Sequence, residues 1–349
     1  MTVSLIIALD AMGGDHAPDV VVRGADLARK RFPSVGFHMF GDQQRILALM
    51  RRRKGLREIT KITHTDDVIT NDMKVSTALR KGRRSSMQLA INMVRDGEAA
   101  GVVSAGNTGA LMALAKLALR TLPGIDRPAI AAIFPTMRGE SVMLDLGANV
   151  ECGTENLIQF AIMGDVFART VLGTVAPSCG LLNVGSEEMK GHAEIQQAAA
   201  CLRQMTETLN FHGFVEGDDI AAGTTDVFVS DGFAGNIALK TTEGTARLIK
   251  GFLGDAFRSS LSARIGFIFA RRGLRKMRDR IDPRRYNGAM FLGLTGIAVK
   301  SHGAADAFGF ANAIGVAVDM ASNGFNDKIT EGLISVSNFD IGPAEVAAS

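Results

Sequence analysis

Two glycines bracket an Asn-Thr pair in "SAGNTGALM" (104–112), between an apolar run, "AAGVV", and a helix-like run, "ALMALAKLAL". A strand that turns through glycine into a helix leaves backbone N–H groups converging on one spot, which makes a ready anion site. Ser104, Asn107 and Thr108 add polar side chains there, and the stretch carries no charged one. A second polar turn, "DAMGGDHAP" (10–18), gathers Asp10, Asp15 and His16 around Gly13 and Gly14. It reads either as a general base pair or wall of the anion site, or as a tight loop whose Asp15 caps a helix that Pro18 opens. Lys190 in "SEEMKG" offers a cation, and Asn236 in "DGFAGN" offers a neutral donor. Taken alone, Lys190 also reads as a solvated residue at a helix start, and Asn236 and Asn107 as caps. His302, in "VKSHGAAD", follows an apolar run and faces the same kind of turn; His38, His64 and His212 read as structural. Cys152 is the one thiol beside such a motif, so a covalent route through its sulfur stands as a minor alternative.

Elements must position these groups. Short apolar runs at 4–10, 35–41, 99–106, 128–136, 141–147, 179–185, 211–217, 226–232 and 293–303 read as strands. Helical stretches at 18–32, 43–53, 85–96, 107–121, 154–171, 188–209, 234–250 and 303–323 follow most of them. That alternation implies a three-layer α/β/α sandwich around a largely parallel sheet. Ligands sit at the carboxyl ends of the strands in such sheets, where the polar, glycine-rich turns fall. The expectation is one large polar cleft on one rim, which would also include Asn149 in "DLGANVECG" and Asp231 in "SDGFAGN".

Composition narrows the function. Of 349 residues, 46% are hydrophobic and 21% charged, as in ordinary globular chains. Cys152, Cys179 and Cys201 form no C-x-x-C pair, so neither a disulfide framework nor a zinc site is indicated. The first apolar stretch is too short for a signal peptide and reads as the first strand of a cytoplasmic protein. No two glycines are separated by a single residue and Gly-Lys never occurs, which removes both common nucleotide-phosphate loops. No G-x-S-x-G marks a serine nucleophile. The tail "NFDIGPAEVAAS" (338–349) reads as frayed.

Six blocks carry a family resemblance: "ALDAMGGDHAP" (8–18), "SAGNTGALMA" (104–113), "LDLGANVEC" (144–152), "LLNVGSEEMKG" (181–191), "VSDGFAGNIALKTTEG" (229–244) and "GIAVKSHGAADAFGFANAI" (296–314). In this order they resemble the bacterial phosphate acyltransferases, acyl-acyl carrier protein:phosphate acyltransferases of phospholipid synthesis, over nearly the whole chain. Gly153 and His192 depart from the pattern. The resemblance implies transfer of a fatty acyl group from the carrier's thioester to inorganic phosphate, with no metal or cofactor. It implies Lys190 and Asn236 as the catalytic pair, Lys190 orienting phosphate and Asn236 polarising the thioester carbonyl. Asp10, Gly13, Gly14, His16, Ser104, Asn107, Thr108, Asn149, Asp231 and His302 would then line the phosphate and acyl site. The alternatives are a phosphate acetyltransferase using acetyl-coenzyme A, and a membrane-associated binding protein without turnover.

Residues 247–285 carry 12 basic and 3 acidic side chains, a balance of 12 − 3 = +9 in a chain of net charge +3. Leu253, Phe257, Leu261, Ile265 and Phe269 recur every four residues, one helical face, and "GFIF" from Gly266 reads as an apolar tip. This basic amphipathic arm, inserted in a single domain spanning 1–349, suits an anionic phospholipid surface, with Leu261, Ile265, Phe267, Ile268 and Phe269 entering it. A dimerisation helix pair is the competing reading, compatible with a homodimer. Nucleic acid is disfavoured, because the phenylalanines lie in a helical stripe. Of two smaller basic runs, "RRRKG" (51–55) and "RKGRR" (80–84), the second is favoured for docking an acidic carrier protein through Arg80, Lys81, Arg83 and Arg84.

Overall fold

The alternating runs assemble into one eleven-stranded sheet with helices on both faces. The computed structural model describes residues 4–280 and 282–336, so the tail at 338–349 lies outside the described residues. The strands are β1 (Leu5–Asp10), β2 (Val35–Gly41), β3 (Thr60–His64), β4 (Gly101–Ser104), β5 (Ala129–Pro135), β6 (Glu140–Leu144), β7 (Ser178–Leu182), β8 (Asn210–Val215), β9 (Val227–Val229), β10 (Ala289–Leu292) and β11 (Ile297–Lys300). Their order is β3-β2-β1-β4-β11-β10-β5-β6-β9-β7-β8. The sheet is largely parallel, as expected. β3 and β10 are additions to the strands read from sequence.

Strand alternation sorts the side chains between two cores. Ile7, Leu9, Val103, Val227, Val229 and Val299 face one core, packed on by the Asp19–Arg31, Thr154–Phe167, Ala193–Gln204 and Ala307–Ser322 helices. Ala8, Val102, Phe228, Phe291 and Ala298 face the other, covered by the Ser86–Arg95 and Thr108–Leu119 helices.

The direction of the strands changes across the sheet, and this corrects the one-rim expectation. β5 and β6 form an antiparallel hairpin, and β10 runs antiparallel to both β11 and β5. Leu144, the last residue of β6, lies opposite Ala131 near the start of β5, while β11 ends at Lys300 opposite the start of β10. The carboxyl ends of β1, β4 and β11 therefore define a first rim. Those of β6, β7 and β9 define a second rim at the other end of the strands. Three of the six polar turns fall on each.

The arm is also corrected. It is two helices, Gly232–Arg258 and Leu261–Arg280, rather than one continuous face. The break is at Ser259 and Ser260, where the Ser260 hydroxyl accepts from the Ala263 amide at 3.1 Å. The second helix returns to the body, where Arg280 donates to the Met137 carbonyl at 2.6 Å. The turn at 259–260, not "GFIF", is thus the apex of the hairpin.

Candidate active site

Asp10, Ser104 and Lys300 end three neighbouring strands and project from the same sheet face, that of Ala8, Val102 and Ala298. Asp10 is only 1% exposed and accepts from the hydroxyls of Ser86 and Ser104, each at 2.6 Å. Burial raises its pKa, against the pull of those hydrogen bonds. Ser104 is equally enclosed and accepts from the Gly106 amide at 3.0 Å, so its hydroxyl braces the turn from beneath. Gly13 sits against this group: a Cβ there would come within 2.5 Å of Asp10 Oδ2 and 2.7 Å of the Gly106 nitrogen. Only glycine fits that approach.

Asn107 caps the Thr108–Leu119 helix, accepting from the Ala110 amide at 3.0 Å, and its Nδ2 donates to the carbonyls of Asn71 and Met73. Thr108 is exposed, and its amide and that of Gly109 have no partner among the described residues. These are the donors this helix start offers an anion. Asp15 does not cap the next helix. Pro18 itself occupies the N-cap position before Asp19, and Asp15 accepts from Asn71 Nδ2 at 2.8 Å. His16 is exposed, as is His302, whose Nδ1 accepts from the Ala304 amide at 3.1 Å. Gly14 adopts φ +99°, a conformation that favours glycine, and lets the Asp15 amide reach the Gly303 carbonyl at 2.9 Å.

Lys300 was not among the residues singled out from sequence. It is 9% exposed, and its ammonium donates to the carbonyls of Ala105, at 3.4 Å, and Ser301. Burial lowers its pKa to about 8, opposed by the carboxylates of Asp10 and Asp15 and assisted by Lys240. A cation thus lies under the 104–108 turn. A lysine closing an otherwise apolar strand, "IAVK", was the available signal.

At the second rim, Asp145 is buried, and its oxygens accept from the amides of Ile130, Ala148 and Asn149 at 2.7–3.1 Å. Asn149 is enclosed too, donating to the Pro128 carbonyl and to Asp145. Its carbonyl receives the Gly232 amide at 2.7 Å, which docks the start of the Gly232–Arg258 helix onto the turn. Asp231 is that helix's cap, accepting from the Ala234 amide at 2.7 Å. Asn236 is therefore not a cap. It stands in the second turn, exposed and without a side-chain partner among the described residues, over the 145–149 turn near Gly147. Lys190 lies in the loop after β7, in the turn rather than on the helix. The loop is tied by Asn183 Nδ2 and Gln196 Nε2, which both donate to the Lys190 carbonyl, and the exposed ammonium has no partner among the described residues.

Asn149 and Asp231 thus build the turn and the helix start, while Lys190 and Asn236 stand on the same rim with side-chain polar atoms unpartnered among the described residues. The Gly232–Arg258 helix links the two rims. It starts at the second, and by Lys240 it is close enough to Lys300 to affect its pKa. Cys152 hydrogen-bonds the Asn149 carbonyl at 3.7 Å, and burial, with Asp145 adding to it, pushes its thiol up to about 11. A thiol held protonated at neutral pH makes a poor nucleophile.

Arg80, Lys81, Arg83 and Arg84 are all exposed on the Val75–Lys81 helix and the Gly82–Arg84 turn. The preceding segment carries Asn71, which bonds Asp15, so this basic ridge borders the first rim. In "RRRKG", Arg53 reaches Asp26 at 3.9 Å. On the arm, Leu261, Ile265, Ile268 and Phe269 are exposed, Phe269 by 83%; Phe267 is less so because its ring meets Phe257 edge-on at 5.3 Å. No helix of the described residues is long and apolar enough to cross a membrane.

Known proteins match along this framework. Residues 5–328 fit the family described as "Fatty acid synthesis protein". A phosphate acyltransferase of Rhodospirillum centenum is 62% identical over 333 residues, covering 95% of this chain and 94% of its own. One from Paramagnetospirillum magneticum is 56% identical over 348 residues, covering 100% of this chain and 99% of its own. Among solved structures, a phosphotransacetylase from Streptococcus pyogenes shares the fold with a TM-score of 0.63 at 17% identity, over 91% of this chain and 94% of that one. With that breadth of match, the chain belongs to the phosphate acyltransferase family of fatty acid synthesis proteins.

Proposed function

We propose that this chain transfers a long-chain fatty acyl group from acyl carrier protein to orthophosphate, giving acyl phosphate for phospholipid synthesis. A phosphate oxygen attacks the thioester carbonyl carbon, the C–S bond breaks, and the carrier leaves as its thiol with the proton that phosphate gives up. The reaction needs positioning and oxyanion stabilisation more than a protein nucleophile. The observation that carries this reading is that Lys190 and Asn236 share a rim, their polar ends unpartnered among the described residues, beside apolar surface. Lys190 holds the phosphate, and Asn236 donates to the developing oxyanion. The Thr108 and Gly109 amides, backed by Lys300, attract anion at the other rim of the same sheet face. Asp10, Gly13, Gly14 and Ser104 shape that turn, with His16 and His302 exposed beside it.

The partners follow from surface chemistry. The ridge of Arg80, Lys81, Arg83 and Arg84 receives the acidic carrier. The whole chain acts as one α/β domain, with 247–285 as an arm that rests peripherally on the anionic inner face of the cell membrane. The protein works in the cytoplasm as a homodimer. The deciding experiment mixes purified protein with palmitoyl-acyl carrier protein and orthophosphate. Phosphate-dependent appearance of acyl phosphate and free carrier is expected. An intact thioester at every phosphate concentration would falsify the proposal, and turnover of acetyl-coenzyme A alone would replace it with acetyl transfer.

A further inference from the structure

We propose that an apolar groove under the first turns of the Gly232–Arg258 helix is the binding site for the donor's acyl chain. This rests on the acyl-transfer reading above and assigns a site to its substrate. The groove, of about 430 Å³, is lined by Leu182, Ile220, Phe233, Ile237, Ala238 and Thr241 together with small polar neighbours. That size falls within the ~300–1,000 Å³ of small-molecule sites.

Three observations favour an acyl chain as its occupant. The groove touches the chemistry on both sides: Phe233 and Ile237 flank Asn236 on the helix, and Leu182 is the last residue of β7 before the loop that carries Lys190. A chain bonded to a carbonyl held at Asn236 has this apolar surface as its nearest shelter. Next, Phe233 and Ile237 are 62% and 50% exposed, large apolar side chains left to water although Ala238, beside them, packs into the core. Finally, the surface continues outward. At 3.6 residues per turn, Phe233, Ile237, Thr241, Gly244, Leu248 and Phe252 fall within an arc of about 100° on the helix. From Phe233 to Phe252 that arc carries no charged residue, and Leu248 and Phe252 are exposed. An uncharged strip thus runs from the groove toward the arm, ending in exposed Leu248 and Phe252, along which a greasy acyl phosphate can leave.

The test compares wild type with Ile237→Trp, using octanoyl- and palmitoyl-acyl carrier protein with orthophosphate. The indole fills the groove, so the long chain loses more contact than the short one. Each methylene forced out of apolar contact costs about fourfold, so the palmitoyl-to-octanoyl ratio of kcat/KM should fall at least tenfold. Should Ile237→Trp fail to fold, Thr242→Trp, on the same groove, carries the comparison. An unchanged ratio overturns the proposal, including the case where both donors lose rate equally because the groove seats a second copy and the oligomer has changed. Binding of pyrene-labelled palmitate, read by fluorescence, keeps the two readings distinguishable. Binding lost in the variant supports the groove even if no acyl phosphate forms with wild type, and binding equal in both proteins refutes it.

Discussion

Replacing Lys300 by Met removes a buried ammonium, and the stability consequence has a definite sign. The pKa falls from 10.5 to about 8 on folding, chiefly through burial. At ~1.36 kcal/mol per pH unit, that difference corresponds to about 3 kcal/mol. Below pH 8 the lysine is protonated in both states, and the folded state carries the whole cost of enclosing the charge. Between pH 8 and 10.5 the unfolded chain binds more protons, so the free energy of unfolding rises with pH. Above 10.5 the group is neutral in both states and the cost is gone. Relative to Lys300→Met, wild type should gain about 3 kcal/mol of stability between pH 7 and 10.5. Titrating groups other than Asp10, Asp15 and Lys240, which couple to Lys300, cancel in the difference. Urea unfolding of both proteins at half-unit pH steps measures it directly. A difference that stays flat across the window would mean the ammonium is well solvated, and would remove the buried cation from under the 104–108 turn.

Lys190→Ala and Asn236→Ala should each lower turnover by about 10²–10³, the typical loss of one oxyanion donor, with unchanged circular dichroism, since both side chains are exposed; near-normal rates would remove the assignments. Ile268→Asp with Phe269→Asp should reduce co-sedimentation with anionic vesicles at least tenfold, as each buried apolar side chain contributes about 1.5–3 kcal/mol; undiminished binding would turn the arm into a protein contact. Gly13→Ala should destabilise the fold by about 1–3 kcal/mol through overpacking, because its Cβ meets the Gly106 backbone at 2.7 Å; an unchanged thermal midpoint would show that the turn can give.

Much of the framework was legible in the chain. The strands other than β3 and β10 were marked by apolar runs, and the polar turns by glycine after them. β10 was not, because "AMFL" abuts the longer run read at 293–303, and only its antiparallel pairing with β11 sets it apart as a strand. Part of the strand reversal was open to sequence reasoning. Only residues 136–139 separate β5 from β6, and a parallel crossover needs a dozen or more. Read that way, the hairpin gives one reversal, but the turn after β11 returns to the first rim only through β10.

Side-chain roles divided along a different line. A polar residue in a glycine-rich turn has the same appearance in sequence whether it holds the turn or faces a ligand. Asn149, Asp231 and Ser104 brace turns and a helix start through hydrogen bonds inside the protein. Asn236 and Lys190 are exposed, with no side-chain partner among the described residues.

By itself the sequence determined the layered α/β class, the basic arm and the family, because periodicity, charge and long local blocks are properties of neighbouring residues. Only the tertiary structure decided which rim each turn occupies, that the arm folds back as a hairpin, and that Lys300 lies beside Asp10. Those facts depend on strand direction and on which distant segments meet, and beyond the short β5–β6 connection no local pattern encodes either.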